Sequence, residues 1–310
     1  MQQFFTLISC GATALAVTAA TAAEPQTLRV PADHASIQAA IDAAGDGDTV
    51  LVAPGVYHEG LRIAGKSVVL TSEFTKTNDE QTIRETILDG SIKTEGGADG
   101  VRDQVILVES SAGPGTEIVG FTIRNGDDGI SCYAKIRIAH NYFVANVDAI
   151  DYEGGGGVFE HNVLEKTEDD AVDLDLSCAV VVANNVIRDN DDDGIEIRLH
   201  DYQGETLEVV IRDNTITGNG EDGIQIIDYP GMSDRHLRIE RNLIADNAMA
   251  GIACMSDGNT KENYEAAPIP EPIEIVNNTI VDNEYGITGG ANVVAINNIV
   301  AGHKMTAFKQ

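Results

Sequence analysis

Acidic residues recur at fixed positions in successive segments of the chain, where a polar turn leads into a short apolar strand. The turn column comprises Asp128, Asp148, Asp170, Asp193 and Asp222. The preceding column, one position earlier, comprises Asp127, Val147, Asp169, Asp192 and Glu221. The strand column, three positions after the turn column, comprises Ser131, Asp151, Asp173, Glu196 and Gln225. Carboxylates arranged in this way can hold a hard cation, exchange protons or face solvent.

Stacked strands lie about 4.8 Å apart, so neighbouring carboxylates repel one another by about 1 kcal/mol in water and by more when shielded. Full solvation, raised pKa values or a bound cation would relieve this repulsion. Ca²⁺ prefers oxygen ligands at roughly 2.3–2.6 Å and can bridge adjacent segments. We therefore predict calcium binding by Asp148, Asp169, Asp170, Asp173, Asp192, Asp193 and Glu196. The alternative is a solvated acidic face, because Asp before Gly-Ile is also favourable turn chemistry.

Basic and aromatic residues lie in the loops that follow the acidic strands. The segment RLHDYQGE and the longest loop, MSDGNTKENYEAAPIPEP, supply the candidate catalytic residues Arg198, His200, Tyr202 and Lys261. Further candidates are Tyr229, Arg235 and His236 in the loop DYPGMSDRH and Tyr264 in the longest loop. The insertions follow the same strand of successive repeats, so we expect them to form one wall beside the acidic columns, where proton transfer needs a base within reach. Each residue has a structural alternative: Arg198 could pair with the stacked acids, and the others could pack or solvate their loops.

The elements that must position these residues are repeats of a little over twenty residues. Each repeat has a short alternating strand, an Asn, another apolar pair, a polar turn and a second strand. The anchor asparagines are Asn141, Asn162, Asn185, Asn214, Asn242, Asn278 and Asn298, and an earlier repeat has Gly120 at the same place. Such a unit buries its apolar face only by stacking, and stacked Asn side chains can bond to one another and to turn backbone. The pattern predicts a parallel β-solenoid.

With these repeats, the sequence resembles the right-handed parallel β-helix proteins of the pectate-lyase-like superfamily. Its start is also typical, because Ser36–Ala44 places Ile37, Ala40 and Ile41 on one face of a short helix that would cap the first coil. The resemblance implies an all-β, right-handed parallel β-helix, a single-stranded solenoid with a short N-terminal capping helix. We expect one domain over residues 24–310, with the cap and first coil at 24–60 and a C-terminal end that could be incomplete.

The acidic segments locally resemble polysaccharide lyase family nine, in which a β-helix holds calcium with an Asp from one coil and Asp-Asp-x-x-Asp from the next. The matching residues here are Asp148, Asp169, Asp170 and Asp173, with an imperfect copy at Asp192, Asp193 and Glu196. The family's catalytic base is a Lys further along, whereas this chain has no Lys between Lys166 and Lys261. The resemblance implies calcium-assisted β-elimination of an acidic polyuronate, in which calcium neutralises the carboxylate beside the abstracted proton.

Two other functional classes stay open. Glycoside hydrolysis needs two carboxylates, roughly 5–5.5 Å apart for retention or 6.5–9.5 Å for inversion, which Asp151 with Asp173, or Asp173 with Glu196, could supply. DDAVDLD also faintly resembles the paired-Asp strand of β-helical polygalacturonases, and a uronate epimerase is possible on the same fold. The non-catalytic alternative is a calcium-stabilised surface or periplasmic binding or maturation protein, similar to adhesin-type β-helices. A catalyst needs a basic, His or Tyr side chain aimed at the cation, whereas a structural site needs only oxygens.

Residues 1–23 are predicted to be a signal peptide. Residues 4–23 carry no charge and end in small side chains before Glu24 and Pro25. The segment LISC offers a lipoprotein alternative with Cys10 as the anchored residue. No other segment is long and apolar enough to cross a bilayer. The protein is therefore expected to be secreted or periplasmic.

The overall charge excludes several partners. The 310 residues include 50 acidic and 20 basic side chains, a net charge of −30 that repels nucleic acid and anionic lipid. The 43% hydrophobic content and 31 glycines favour a folded, turn-rich β architecture over disorder. An acidic polysaccharide is a compatible partner if a cation lies between the two polyanions. The mature chain has an odd number of cysteines, so a complete set of disulfides is excluded and buried thiols are predicted at Cys132, Cys178 and Cys254.

Overall fold

The computed structural model describes residues 24–91, 103–256, 263–264, 269–290 and 292–309. Within these residues, the chain winds through three parallel sheets, and each regular coil adds one strand to each sheet in turn. The predicted parallel β-helix is confirmed. The predicted signal peptide, the lipoprotein alternative at Cys10 and the candidate Lys261 lie outside the described residues.

The three sheets are numbered by the order in which a coil visits them. Sheet 1 consists of Thr27–Val30, Asp48–Val52, Val68–Ser72, Glu117–Val119, Lys135–Ala139, Gly156–Glu160, Ala179–Ala183, Tyr202–Arg212, Ser233–Glu240, Ile273–Val276 and Val293–Ile296. Sheet 2 consists of Gly55–Tyr57, Thr86–Asp89, Thr122–Arg124, Tyr142–Val144, Val163–Glu165, Val186–Arg188, Thr215–Thr217, Leu243–Ala245, Thr279–Val281 and Ile299–Ala301. Sheet 3 consists of Leu61–Ile63, Ile106–Val108, Asp128–Cys132, Asp148–Glu153, Val172–Asp175, Ile195–Leu199, Ile224–Asp228, Ala250–Met255, Tyr285–Thr288 and Thr306–Lys309.

The core lies inside the helix and is built from alternate strand positions. Ile136, Ile138 and Phe143 point inward and are 3%, 0% and 0% exposed. The apolar pair after each anchor Asn belongs to a further strand, which lies in sheet 2. The sequence pattern predicted only two strands in each repeat and missed this one. Several of these strands, such as Tyr142–Val144, have only three residues and bury only the central side chain. One inward position gives no alternation that could be recognised in the sequence.

The anchor asparagines form the predicted ladder at the turn between sheets 1 and 2. The amide group of Asn214 donates to Oδ1 of Asn242 (3.0 Å) and to the carbonyl oxygen of Val182 (2.9 Å), and its own Oδ1 accepts from the backbone N–H of Asn185 (2.9 Å). A second ladder, at the turn between sheets 2 and 3, was not predicted. Its members are Asn146, Asn190, Asn219, Asn247 and Asn283, with Thr167 in one coil. Together the ladders satisfy buried turn backbone and fix the register of sheet 3.

A short helix covers the first coil. It spans Ile37–Ala43, and the hydroxyl of its N-cap Ser36 accepts from the N–H of Ala39 (3.2 Å). Ile37, Ala40 and Ile41 are at most 1% exposed, as the helical face predicted. Two further helices, Phe74–Thr77 and Glu80–Glu85, were not predicted. They are an insertion between sheets 1 and 2 that belongs to no repeat.

Cys132, Cys178 and Cys254 are free thiols inside the helix and are at most 2% exposed. The prediction of buried thiols is confirmed. None of the described helices has both the length and the apolar character that a membrane crossing requires.

Candidate functional site

The strand pairing of sheet 3 confirms the alignment of the acidic columns. Asp128 lies beside Asp148, and Asp151 lies beside Asp173 on the next strand. Asp173 in turn pairs with Glu196. Carboxylates of neighbouring coils are therefore direct neighbours, separated by the spacing of hydrogen-bonded strands.

The last three acids of the turn column, Asp170, Asp193 and Asp222, have a structural role. The backbone N–H of Asp193 donates to Oδ1 of Asp170 (3.1 Å), and the N–H of Asp222 donates to Oδ1 of Asp193 (2.6 Å). Asp222 accepts from the N–H of Ala250 (2.6 Å). These acids satisfy the turn backbone of the next coil, as the anchor asparagines do at the other turn. Burial raises the pKa of Asp170 and Asp193 well above the usual range for Asp, and neighbouring acids raise it further.

The strand column is not the solvated acidic face that the sequence left open as an alternative. Asp173, Glu196 and Gln225 are 7%, 3% and 1% exposed, although their side chains point away from the core. Arg198 lies against Asp173 and Glu196 and covers part of this face. Asp151 is half-buried. Full solvation therefore does not relieve the repulsion between these carboxylates. Raised pKa values or a bound cation must do so.

The pKa values of this face are displaced far upward. Burial is the largest cause, and it raises the pKa of Asp148 to about 9 and that of Asp151 to about 8. Repulsion by neighbouring carboxylates, including Asp173, adds to both. Burial likewise raises the pKa of Asp173 to about 7 and that of Glu196 to about 8, although Arg198 offsets part of the effect.

Arg198 lies among the acids of the strand column and its neighbour Asp175. Its Nη1 lies 2.6 Å from Oδ2 of Asp173 and 3.2 Å from Oδ2 of Asp175, and its Nη2 contacts Oε1 of Glu196. Burial lowers the pKa of Arg198, but these acids outweigh it and raise that pKa above its ordinary value. The guanidinium therefore stays charged. This excludes Arg198 as a proton acceptor and leaves it an electrostatic role.

His200 is brought to the same place. Its Nε2 lies 3.3 Å from Oδ1 of Asp175, and its ring packs on Tyr229 with the centroids 4.3 Å apart. Tyr202 begins a strand of sheet 1, and its hydroxyl lies over Gly204, where an added Cβ would approach it to 2.6 Å. None of its described contacts reaches the strand column. The structure thus brings together Arg198 and His200, but not Tyr202.

Among the residues that the structure describes, three groups of acids have ligand oxygens within 4.8 Å of one another: Asp169, Asp170 and Asp192; Asp170, Asp173 and Glu196; and Asp192, Asp193 and Glu221. Six of the seven predicted ligands fall in these groups, and Asp148 does not. The acids of segment 169–173 therefore share a potential ligand set with acids of the following coil, not with Asp148 of the preceding one. The donor set suits a hard cation, because all ligands are carboxylates. Oδ1 of Asp173 is also buried without a hydrogen-bond partner among the described residues.

The family model for the right-handed β-helix region matches residues 76–232 and 202–300. The chain belongs to this right-handed β-helix family. Compared with curated protein sequences, it gives no significant match.

Solved structures show the same fold at low sequence identity. Pectate lyase Pel9A is 14% identical, with a TM-score of 0.57 over 84% of this chain and 73% of that one. The polygalacturonase from Erwinia carotovora ssp. carotovora is 15% identical, with a TM-score of 0.56 over 94% of this chain and 97% of that one. The catalytic domain of a GH87 α-1,3-glucanase in complex with nigerose is 12% identical, with a TM-score of 0.53 over 94% and 67%. At these identities, the likeness establishes the right-handed parallel β-helix alone.

Two features of the β-helix site were missed in the sequence. Asp175, two positions after Asp173, contacts both Arg198 and His200. The alternation of the strand places residues 173 and 175 on one face, so this position could have been found. The hydroxyl of Tyr264 donates to Oδ1 of Asp222 (2.6 Å) and shields the lower end of the turn column. No pattern in the sequence gives this contact, because it joins a long loop to a distant coil.

Proposed function

We propose that this right-handed β-helix protein is an exported polysaccharide lyase that acts on an acidic polyuronate with the help of calcium. The observation that carries the proposal is the group Asp170, Asp173 and Glu196, whose oxygens converge on a shielded face beside Arg198 and His200. The similar structures named above include a pectate lyase and a polygalacturonase, which supports a carbohydrate substrate.

Calcium is the cation that this donor set fits. Asp169, Asp170 and Asp192 form the most accessible group, and Asp170 is shared with the group that contains Asp173 and Glu196. When bound, calcium would neutralise a substrate carboxylate and acidify the proton on the adjacent carbon. It would also allow a protein of net charge −30 to bind a polyanion.

His200 is the proposed base. Nε2 lies 3.3 Å from Oδ1 of Asp175, close enough for this carboxylate to stabilise a positive charge on the ring after His200 accepts a proton. Packing on Tyr229 restricts the orientation of the ring. A base held by a carboxylate in this way has the arrangement that general-base catalysis requires. Arg198 holds a fixed positive charge beside it and can stabilise negative charge that develops on the substrate.

Glycoside hydrolysis is the second candidate. Asp173 and Glu196 are direct neighbours on adjacent strands and could act as an acid and its partner carboxylate. The two chemistries give different products, because hydrolysis adds water and elimination leaves an unsaturated sugar. Mass spectrometry of the products separates them. A folded protein that binds calcium and cleaves no polysaccharide would instead be the non-catalytic binding module.

Calorimetric titration with calcium tests the site. We expect the wild type to bind calcium and the double variant Asp170→Asn, Asp173→Asn to lose that binding. Asp127→Asn is the matched control, since Asp127 is an exposed acid of the preceding column that belongs to none of the three groups. Equal binding by wild type and double variant would remove calcium from this site.

A further inference from the structure

A pocket lies on another corner of the helix, where sheet 1 passes into sheet 2. It has a volume of about 220 Å³, and the helix Glu80–Glu85 forms part of its wall. The other walls include Tyr142, the adjacent anchor Asn141 and the rings of His140 and His161. The acidic columns lie instead at the turn between sheets 2 and 3 and along sheet 3. This pocket is therefore separate from the candidate active site.

Arg84 provides the positive charge of the pocket. Of the arginines in the described part of the chain, only Arg84 and Arg235 form no ion pair with a described carboxylate. Arg235 is only 4% exposed and donates to the carbonyl oxygen of His200, whereas Arg84 is exposed. In a protein with 50 acidic and 20 basic residues, an exposed arginine without an acidic partner among the described residues is unusual.

The guanidinium of Arg84 is held by stacking. Its Cζ lies 3.4 Å from the centroid of the Tyr142 ring, a cation–π contact, and a guanidinium that stacks on a ring can still donate hydrogen bonds in its own plane. The hydroxyl of Tyr142 donates to Oε1 of Glu165, and Arg188 holds the other oxygen of Glu165 through Nε (2.9 Å) and Nη2 (2.7 Å). The Tyr142 ring, the platform on which Arg84 stacks, is therefore held in place before any ligand binds.

Stacked rings form the adjacent wall. His140 and His161 are parallel, with centroids 4.9 Å apart and an angle of 4° between the planes, and Phe74 packs on His140 at 5.1 Å. Each His comes directly before an anchor Asn at a positive φ of 56°. The next coil has Asn184 at the equivalent position, without a ring. Flat rings suit the C–H faces of a sugar, and ring N–H groups can bond its oxygens.

We propose that this pocket is a second, non-catalytic binding site for one carboxylate-bearing sugar unit of an acidic polysaccharide. Arg84 would bind the carboxylate through paired N–H groups, and the His wall would contact the ring of the sugar. The volume suits one sugar unit rather than a larger ligand. Glu80 lies at the rim and opposes an anion, but it is exposed and therefore screened by solvent. The choice of a uronate rests on the proposed function, whereas the site does not depend on calcium.

Titration with sugars in the presence of EDTA tests this site while the proposed calcium site is kept free of metal. The probes are trisaccharides of galacturonate, mannuronate and guluronate, with maltotriose as the neutral match and inorganic phosphate as the simple anion. We expect one uronate trisaccharide to bind the wild type and to shift the ring NMR signals of His140 and His161. Arg84→Gln should weaken this binding about tenfold or more, because it removes a charge-assisted hydrogen bond. Arg212→Gln, which alters a half-buried arginine outside this pocket, should leave it unchanged.

A second variant protects the test from an effect of charge alone. Tyr142→Val removes the platform and keeps a residue that sheet 2 accepts, since Val163 occupies the paired position; it should weaken binding to a similar extent. Failure of all three uronates to bind, equal binding by Arg84→Gln, or equal affinity for phosphate or maltotriose would each overturn the proposal. The Asp170→Asn, Asp173→Asn variant should retain this binding. A failure of the proposed lyase function would therefore be distinguishable from a failure of this site.

Discussion

Asp148→Asn should stabilise the calcium-free protein, although it alters a predicted calcium ligand. Burial and the repulsion of Asp169, Asp173, Asp128 and Asp151 raise the pKa of Asp148 from 3.8 to about 9. Below pH 3.8 both the folded and unfolded states bind the proton. Between pH 3.8 and about pH 9, the unfolded state has released the proton and the folded state keeps it, so stability falls as the pH rises. An amide of the same shape carries no such penalty.

The size of the effect follows from the difference in pKa. At pH 7 the penalty is about 1.4 kcal/mol for each pH unit above 3.8, or about 4 kcal/mol. Asp148 is half-buried, so solvent screening reduces the expected gain of the variant to about 2–4 kcal/mol. For a chain of this length, that gain corresponds to an increase in Tm of roughly 4–8 °C. The gain should disappear near pH 4.

Thermal unfolding followed by circular dichroism in EDTA, from pH 4 to pH 8, measures this effect. Asp127→Asn is the control, because it removes an exposed acid from the equivalent turn of the preceding coil and should leave Tm within about 1 °C of the wild type. The reasoning would be refuted by an Asp148→Asn protein whose Tm at pH 7 to 8 equals or falls below that of the wild type. A gain that is constant from pH 4 to pH 8 would also refute it, because the effect would not come from ionisation.

Three further changes test the site and its scaffold. Arg198→Gln removes the guanidinium that lies among the acids, so Tm in EDTA at pH 8 should fall by several degrees. The increase in Tm on adding calcium should exceed that of the wild type, and an unchanged response to calcium would contradict the ion pairs. His200→Ala should lower kcat on the polysaccharide substrate at least about a hundredfold without a change in Tm, and normal turnover would exclude His200 as the base. Asn214→Ala breaks the buried ladder and should cost about 3–5 kcal/mol in thermal unfolding, whereas the half-buried neighbour variant Thr215→Ala should cost less than about 1 kcal/mol.

The scaffold could be predicted because the residues that form its turns and its core repeat in the sequence. Asn141, Asn162 and their successors mark one turn of each coil from Asn141 onward, and the alternation of Ile136 and Ile138 marks the inward face. The acidic columns followed from the same alignment, and the pairing of Asp173 with Glu196 confirms it. Repetition therefore specifies which residues are neighbours along the stack.

The environment of those neighbours could not be predicted, because it depends on segments that do not repeat. Asp173 is buried rather than solvated, and Tyr264 reaches Asp222 from a distant part of the chain. The helix Glu80–Glu85 is likewise a single insertion, so nothing in the repeat indicates its pocket. Arg198 was recognised both as a catalytic candidate and as an ion-pair partner, and only its distances to the acids decide that it stays charged.

The most direct test of the proposed function follows ultraviolet absorbance from unsaturated uronate ends, with pectate, alginate and related polymers, in calcium and in EDTA. The proposal predicts an increase in absorbance on at least one polyuronate that requires calcium and is lost in the Asp170→Asn, Asp173→Asn variant. A flat trace across the panel from folded protein that binds calcium would contradict lyase activity. The acidic face would then belong to a binding or structural module.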